Sequence, residues 1–220
     1  ILFVPGGKIA AVTNSDYGYV KIARYLPNGQ PDLTFGTQGL LTIPTPTQRI
    51  YDAAVLNDGR ILLAGSYFPG GNAVDFLVTR LNPDGTIDQA FGNAGVFSVN
   101  QGSFDVVNRL AIQPDGKIVC AGYTSDAGGY QAVLRLNANG TLDTSFNGGM
   151  AVFRFPPYPH SSPRQLQTVK ILDDGSILTA APLNFAHPTG IALGIGIARL
   201  TPAGVLDQSF GTQGTSLATR

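Results

Sequence analysis

Arg80-Leu-Asn-Pro-Asp-Gly-Thr-Ile-Asp-Gln-Ala-Phe-Gly-Asn-Ala-Gly95 is one of four copies of a single pattern in this 220-residue chain. The others are Arg24-Tyr-Leu-Pro-Asn-Gly-Gln-Pro-Asp-Leu-Thr-Phe-Gly36, Arg135-Leu-Asn-Ala-Asn-Gly-Thr-Leu-Asp-Thr-Ser-Phe-Asn147 and Arg199-Leu-Thr-Pro-Ala-Gly-Val-Leu-Asp-Gln-Ser-Phe-Gly211. In each, a Gly stands five residues after the Arg, an Asp eight after it and a Phe eleven after it. A second landmark repeats in step: an apolar run, a turn ending in Gly, usually a basic residue, and a second apolar run. Its glycines, Gly7, Gly59, Gly116 and Gly175, are 52, 57 and 59 residues apart. Self-similarity at this period marks a propeller or solenoid, in which each unit buries its faces against its neighbours.

Each unit reads as four short strands. In the second they run approximately 50–56, 60–67, 75–81 and 95–100, rich in Val, Ile, Leu, Phe and Ala and bounded by Gly, Pro, Asn or Asp. Asn57-Asp-Gly59 is a hairpin turn in which Gly supplies positive φ at little steric cost, and Asn82-Pro-Asp-Gly85 carries a type I turn signal. Such turns reverse the chain, which disfavours a parallel β-helix. The expectation is an all-β fold, a single β-propeller domain over 1–220 with four blades of four antiparallel strands. The units are approximately 1–46, 47–101, 102–157 and 158–220, and a closed four-bladed ring is favoured over an arc completed by further repeats or by a second copy.

Composition excludes some classes. Lys plus Arg number 14 against 14 Asp plus Glu, only four residues are Lys, and no run of like charge occurs. That balance lacks the basic footprint of a nucleic-acid binder. Apolar runs are broken long before ~18 residues, so no membrane-spanning helix is expected. No secretory leader is visible, and the opening at Ile1 inside a strand is what a processed or excised fragment would show. Cys120, the one cysteine, lies in an apolar run and is expected to be buried and unreactive.

The repeated polar residues have a structural reading first. Asp32, Asp88, Asp143 and Asp207 each precede a Phe by three residues and suit an Asx-type cap on the backbone beyond them. Phe35, Phe91, Phe146 and Phe210 are expected between blades, and Arg24, Arg80, Arg135 and Arg199 in bidentate pairs with carboxylates at the blade corners. The competing reading is a ring of four Asp around a channel, binding a cation.

The DG(K/R)I element followed by RLNPDGTLDxSFG-like segments resembles the bacterial delta-60 repeat over nearly the whole chain. The resemblance implies a propeller-like repeat domain and a secreted or cell-surface setting, and it carries no catalytic or binding residues to transfer. The fourth unit departs from it, with Ser176 in place of the basic residue and Ala181 in place of the Gly at 65 and 122.

Function in repeat folds lies where symmetry is broken. The segments between second and third strands vary most and carry Tyr17, Tyr19, Tyr67, Phe68, Tyr130, Phe185 and His187. Such a face suits a protein or glycan ligand; rim packing of the same rings is the plainer alternative. His160 and His187 both fall in the fourth unit, without a nucleophile elbow or a metal-ligand spacing. The expectation is a non-catalytic binding or scaffolding module of an exported bacterial repeat protein, without cofactor or metal. The alternative is a hydrolase or lyase acting on a glycan or ester through the fourth unit, and a third option is a spacer with no ligand.

Overall fold

The computed structural model describes residues 1–15, 19–44, 48–70, 73–125, 130–155, 162–163, 166–187 and 190–219. They form four antiparallel sheets in chain order. The first holds β1 (Leu2–Val4), β2 (Lys8–Ser15), β3 (Tyr19–Tyr25) and β4 (Leu40–Pro44); the second holds β5 (Gln48–Val55), β6 (Ile61–Gly70), β7 (Ala73–Leu81) and β8 (Val96–Val99). The third holds β9 (Asp105–Ile112), β10 (Ile118–Thr124), β11 (Tyr130–Leu136) and β12 (Met150–Phe153). The fourth holds β13 (Ser162–Pro163), β14 (Thr168–Ile171), β15 (Ile177–His187), β16 (Gly190–Leu200) and β17 (Thr215–Thr219). Inner strands meet inner strands: β1 and β2 pack on β5, β5 on β9 and β9 on β14. This is a β-propeller arrangement with one repeat per blade, and the four strands expected in the second unit lie within a few residues of those observed.

The chain's apolar runs make sense as surfaces shared between blades. Among the described residues three apolar clusters hold the fold, one at each junction. Ile22 and Val20 of the first blade meet Ile61, Leu63, Leu77 and Leu81 of the second. Leu62, Phe76 and Val78 face Ile118, Cys120 and Leu134 of the third. Val133 and Phe153 face Ile177, Leu183 and Leu200 of the fourth. Burying a large apolar side chain contributes about 1.5–3 kcal/mol, so these seams dominate the favourable side of folding.

The expected closed ring is not what the described residues form. The first blade leaves Phe3 83% exposed, and the fourth leaves Ile195 55% exposed. Phe76, at the place of Ile195 in the second blade, is fully buried, as are Ile61 and Leu81 at the places of Ile9 and Tyr25, which are exposed beside Phe3. The four blades therefore make an arc with two uncovered apolar faces. On the first blade β3 alternates buried and exposed residues along its length.

One repeated glycine explains how the inner strands run. β5 and β9 each carry a bulge, opposite Gly65 and Gly122. A Cβ on Gly65 would lie 1.7 Å from the Arg49 carbonyl oxygen, and one on Gly122 would lie 1.8 Å from that of Val106. Only glycine admits the bulged strand there. Ala181 holds that place in the fourth blade, and there the inner strand is divided. β14 pairs with β15 as far as Thr168 opposite Ala180, and β13 resumes with Ser162 opposite Asn184. A Cβ at this place is what the bulged carbonyls opposite Gly65 and Gly122 would collide with.

Candidate functional site

The meander sorts the chain's two kinds of segment to opposite ends of the blades. Turns between first and second strands, with the long corners between third and fourth strands, share one end; the repeated motifs are all here. Hairpins between second and third strands, and the links from blade to blade, share the other; the variable segments are all here.

At the corner end each repeated Asp divides its two oxygens. Asp143 Oδ1 accepts from the Ser145 backbone N–H at 3.1 Å and the Ser145 hydroxyl at 2.6 Å, the expected cap. Asp143 Oδ2 accepts from Arg135 Nε at 2.7 Å and from Lys117 Nζ at 2.9 Å. Asp32 is held in the same way by Arg24 and Lys8, and Asp88 by Arg80 and Arg60. The bidentate pair expected from the sequence is thus replaced by a carboxylate shared between two cations. The Arg turns its remaining nitrogen forward instead: Arg135 Nη1 donates to the Pro202 carbonyl of the next blade at 2.8 Å. Arg24 reaches the Pro83 carbonyl and Arg80 the Ala138 carbonyl in the same way.

The aromatic ring completes this latch. Guanidinium carbons stand 4.5, 4.5 and 4.6 Å from the ring centroids of Phe35, Phe91 and Phe146, which are fully buried. The far side of each ring is covered by the glycine of the following turn. A Cβ on Gly85 would lie 3.1 Å from Phe35, and one on Gly140 2.7 Å from Phe91. In the fourth blade Ser176 replaces the second cation, Arg199 is 5.2 Å from the Phe210 ring, and Phe210 is only half-buried.

These contacts fix the ionisation of the corners. Burial pushes the Asp32 carboxyl up, but hydrogen bonds from Lys8 and Thr34 and the charge of Arg24 outweigh it and hold the group well below the usual carboxylate range. Asp143 is held low by the Ser145 hydroxyl, then Lys117 and Arg135, against its burial. Asp88 and Asp207 are lowered too. The four Asp sit at blade corners with both oxygens engaged, so the reading as a cation-binding ring is overturned. Among the described residues no cluster of three His, Cys, Asp or Glu side chains is placed to hold a metal ion.

Polar side chains on or beside the inner strands, which the sequence reading did not single out, bridge each junction. Asn14 exchanges two hydrogen bonds with the Ile50 backbone, at 2.5 and 3.1 Å. Asp52 Oδ2 accepts from the Leu110 N–H of the third blade at 2.8 Å. Arg109 reaches Gln167 of the fourth at 3.4 Å. The available signal was a polar residue in an otherwise apolar run, as at Asp52.

At the variable end the candidate ligand-binding rings are placed one blade at a time. Tyr19 opens β3 and is 40% exposed. Tyr67 packs against the core between the first two blades. Phe68 stands 6.0 Å from the Arg49 guanidinium, and Tyr130 4.1 Å from that of Arg154. Phe104 (38% exposed) meets Tyr123 edge-on at 6.4 Å and was not singled out in the sequence. Among the described residues the ring–ring and ring–guanidinium contacts at this end, Phe104–Tyr123, Arg49–Phe68 and Arg154–Tyr130, each stay within one blade, so these rings form separate patches. Tyr17 and His160 lie outside the described residues; Phe185 and His187 lie on β15, and their side chains are outside the description. Among the described residues no helix is long and apolar enough to cross a membrane.

Comparison with known proteins agrees with this architecture. Residues 56–91 and 113–146 match the family model described as "Domain of unknown function (DUF5122) beta-propeller". These segments run from the hairpin turn to the buried Phe in the second and third blades. No curated protein sequence matches the chain. Among solved structures, the chain is similar to an alpha-L-arabinanase from Penicillium chrysogenum complexed with arabinobiose, with a TM-score of 0.52 at 12% identity. The alignment covers 98% of this chain and 72% of that one. At that identity the likeness is one of fold.

Proposed function

We propose that the chain is a non-catalytic binding module that presents the variable end of its blades to a glycan or protein ligand. The observation that carries this reading is the division of labour between the two ends. At the corner end of the first three blades every repeated Arg and Asp is engaged in holding blades together. At the variable end half-buried and exposed aromatic rings, braced by Arg49 and Arg154, combine contact area with hydroxyl tips. The setting that fits is an exported bacterial repeat protein of the delta-60 type, at the cell surface or secreted.

The test is a glycan array and a pull-down from surface extracts, repeated with a Tyr19→Ser/Phe104→Ser/Tyr130→Ser variant. Tyr67 is left intact because it packs in the core. Loss of binding at an unchanged melting temperature supports the proposal; undiminished binding sinks it. A second reading is a glycan-acting hydrolase or lyase using the fourth repeat, motivated by the arabinanase fold neighbour and by two histidines confined to that unit. Turnover of glycan, ester or polyuronide substrates that disappears in His160→Ala/His187→Ala would favour it.

A further inference from the structure

We propose that the variable end of the seam between the second and third blades binds an acidic oligosaccharide, a chain of sugars bearing carboxylates, along a line of four side chains. This rests on the reading of the variable end as the binding face and narrows it to one seam and one ligand class. From the inner strands outward the line runs Arg49 on β5, Phe68 on β6, Tyr130 on β11 and Arg154 just past β12. Arg49 is a cross-strand neighbour of Ser66 and, through it, of Phe76, which is buried in the core between these two blades. Phe68 stands two residues beyond Ser66, with the Arg49 guanidinium 6.0 Å from its ring. On the other side Tyr130 pairs with Thr124 on the face that carries Ala132 and Val107 into the same core. The Arg154 guanidinium lies 4.1 Å from the Tyr130 ring. Both pairs therefore flank one seam, with a basic group at each end and the rings between.

Nothing in the repeat requires this line. On the seam between the first two blades the places of Tyr130 and Arg154 are held by Asp75 and Asn100, bonded to each other at 2.8 Å. On the seam between the last two the place of Arg49 is held by Val106, which is fully buried, whereas Arg49 is exposed. Every ion pair joining two described residues lies at the corner end. Arg49 and Arg154, both exposed, stand against rings. The described acids of this region offer an anion little repulsion. Asp75 accepts from Asn100, and Asp105 is fully buried, its Oδ2 taking the Gln101 and Gly102 N–H groups at 2.6 and 3.0 Å.

The chemistry of the line selects its ligand. A guanidinium presents a planar fork of N–H donors that matches a carboxylate. A half-buried ring packs against the C–H face of a single sugar, whose hydroxyls stay in water or reach polar neighbours. Such neighbours are at hand, because the link 100–104 crosses from β8 to β9 along this seam and is bonded to both blades. Val74 N–H donates to the Ser103 carbonyl at 3.2 Å and Ser125 N–H to the Phe104 carbonyl at 2.9 Å, with the Ser103 and Ser125 hydroxyls 2.9 Å apart. Inner and outer strands of a blade lie roughly 14 Å apart at about 4.8 Å per spacing, the scale of several linked sugars. A protein partner would need about 1,000 Å² of buried surface with an apolar centre, which two separate half-buried rings across a serine-bearing link do not supply.

Titration calorimetry of the purified chain tests this with short oligomers of galacturonate, glucuronate and mannuronate, each beside its carboxyl-reduced, neutral counterpart. At least one acidic oligomer is expected to bind about tenfold or more tightly than its neutral counterpart, and to weaken as salt rises. Arg49→Gln and Arg154→Gln, with folding verified by circular dichroism, should each raise the dissociation constant about tenfold, the worth of a charge-assisted hydrogen bond. Lys170→Gln, at an exposed lysine of β14 in the fourth blade, removes the same charge away from the seam and should leave binding unchanged. Equal binding of acidic and neutral oligomers overturns this inference and leaves the broader reading of the variable end standing. Binding that survives in both arginine variants, or that falls equally with Lys170→Gln, overturns the seam as the site. Failure of every acidic oligomer to bind also overturns it, and the glycan array and pull-down then judge the broader reading separately.

Discussion

Arg135 and Pro202, 67 residues apart, are joined by a 2.8 Å hydrogen bond from the guanidinium of one blade to the turn carbonyl of the next. Asp143 fixes the guanidinium from behind, so a carboxylate in one blade sets the spacing to its neighbour. Stability should therefore be unequal among corners of nearly identical sequence.

Asp143→Ala should cost about 3–5 kcal/mol, because it strands the buried Arg135 and removes the partner of Lys117. Asp207→Ala should cost clearly less than Asp143→Ala, since its pair with Arg199 is partly solvated and the main loss is a cap. Urea unfolding of the two variants checks the ranking. Equal losses would mean the corners do not couple blades.

The aromatic positions should rank in the same order. Phe146→Ala removes a fully buried ring seated against Gly204 and should cost about 3–5 kcal/mol. Phe210→Ala, at a half-buried ring with no turn over it, should cost about 1 kcal/mol when the chain is dilute. Thermal unfolding at low protein concentration is the appropriate measurement.

Gly122→Ala should be among the most damaging small substitutions, costing 3 kcal/mol or more. Its Cβ would overlap the Val106 carbonyl unless β9 left the sheet, as the inner strand of the fourth blade does beside Ala181. Soluble yield and melting temperature would report it. A melting temperature within a degree or two of wild type would show that the bulge is dispensable.

Acid should weaken the fold through the corners. The folded-state pKa values of Asp32, Asp88, Asp143 and Asp207 lie below the unfolded value near ~3.9, so the stability they supply is complete above about pH 5. It drains away as pH falls through about 4 and continues to fall below that. Melting temperatures measured from pH 6 to pH 2 should show a plateau and then a steep decline. A decline that vanishes in the Asp32→Asn/Asp143→Asn background would assign it to these two carboxylates.

Cys120 offers a probe of the junction between the second and third blades. Burial pushes its thiol well above the ordinary range, and the side chain is fully enclosed. Native protein should resist maleimide, with labelling that tracks opening of the junction as urea rises. Rapid labelling without denaturant would contradict a closed seam there.

The repeat made much of the architecture legible in advance. The Arg–Asp–Phe spacing led to the cap, to the buried ring and to the corner, because all three lie within eleven residues. The second cation at the first three Asp was visible as Lys8, Arg60 and Lys117 but unassigned, since it comes from another turn of the same blade. The forward bond to the next blade was out of reach, because a repeat alone does not say which neighbour its guanidinium faces. Ala181 was recognisable as a departure, while the divided strand required knowing that a carbonyl approaches Gly65 and Gly122. Asn14, Asp52 and Arg109 follow no repeat, so no periodicity pointed to them. The variable rings stand at the end of the blades opposite the repeated motif, and their separation into patches depends on arginines far off in sequence.

The forward latch also gives the chain a direction in time. Arg24, Arg80 and Arg135 find their carbonyls 59, 58 and 67 residues downstream. At ribosomal rates of roughly 5–20 residues per second, each guanidinium waits several seconds for the turn that will accept it. Assembly is therefore vectorial: a blade becomes fully bonded only when its successor has emerged. A stall just beyond any of the first three Phe residues would leave a nascent arc with a charged, unlatched edge.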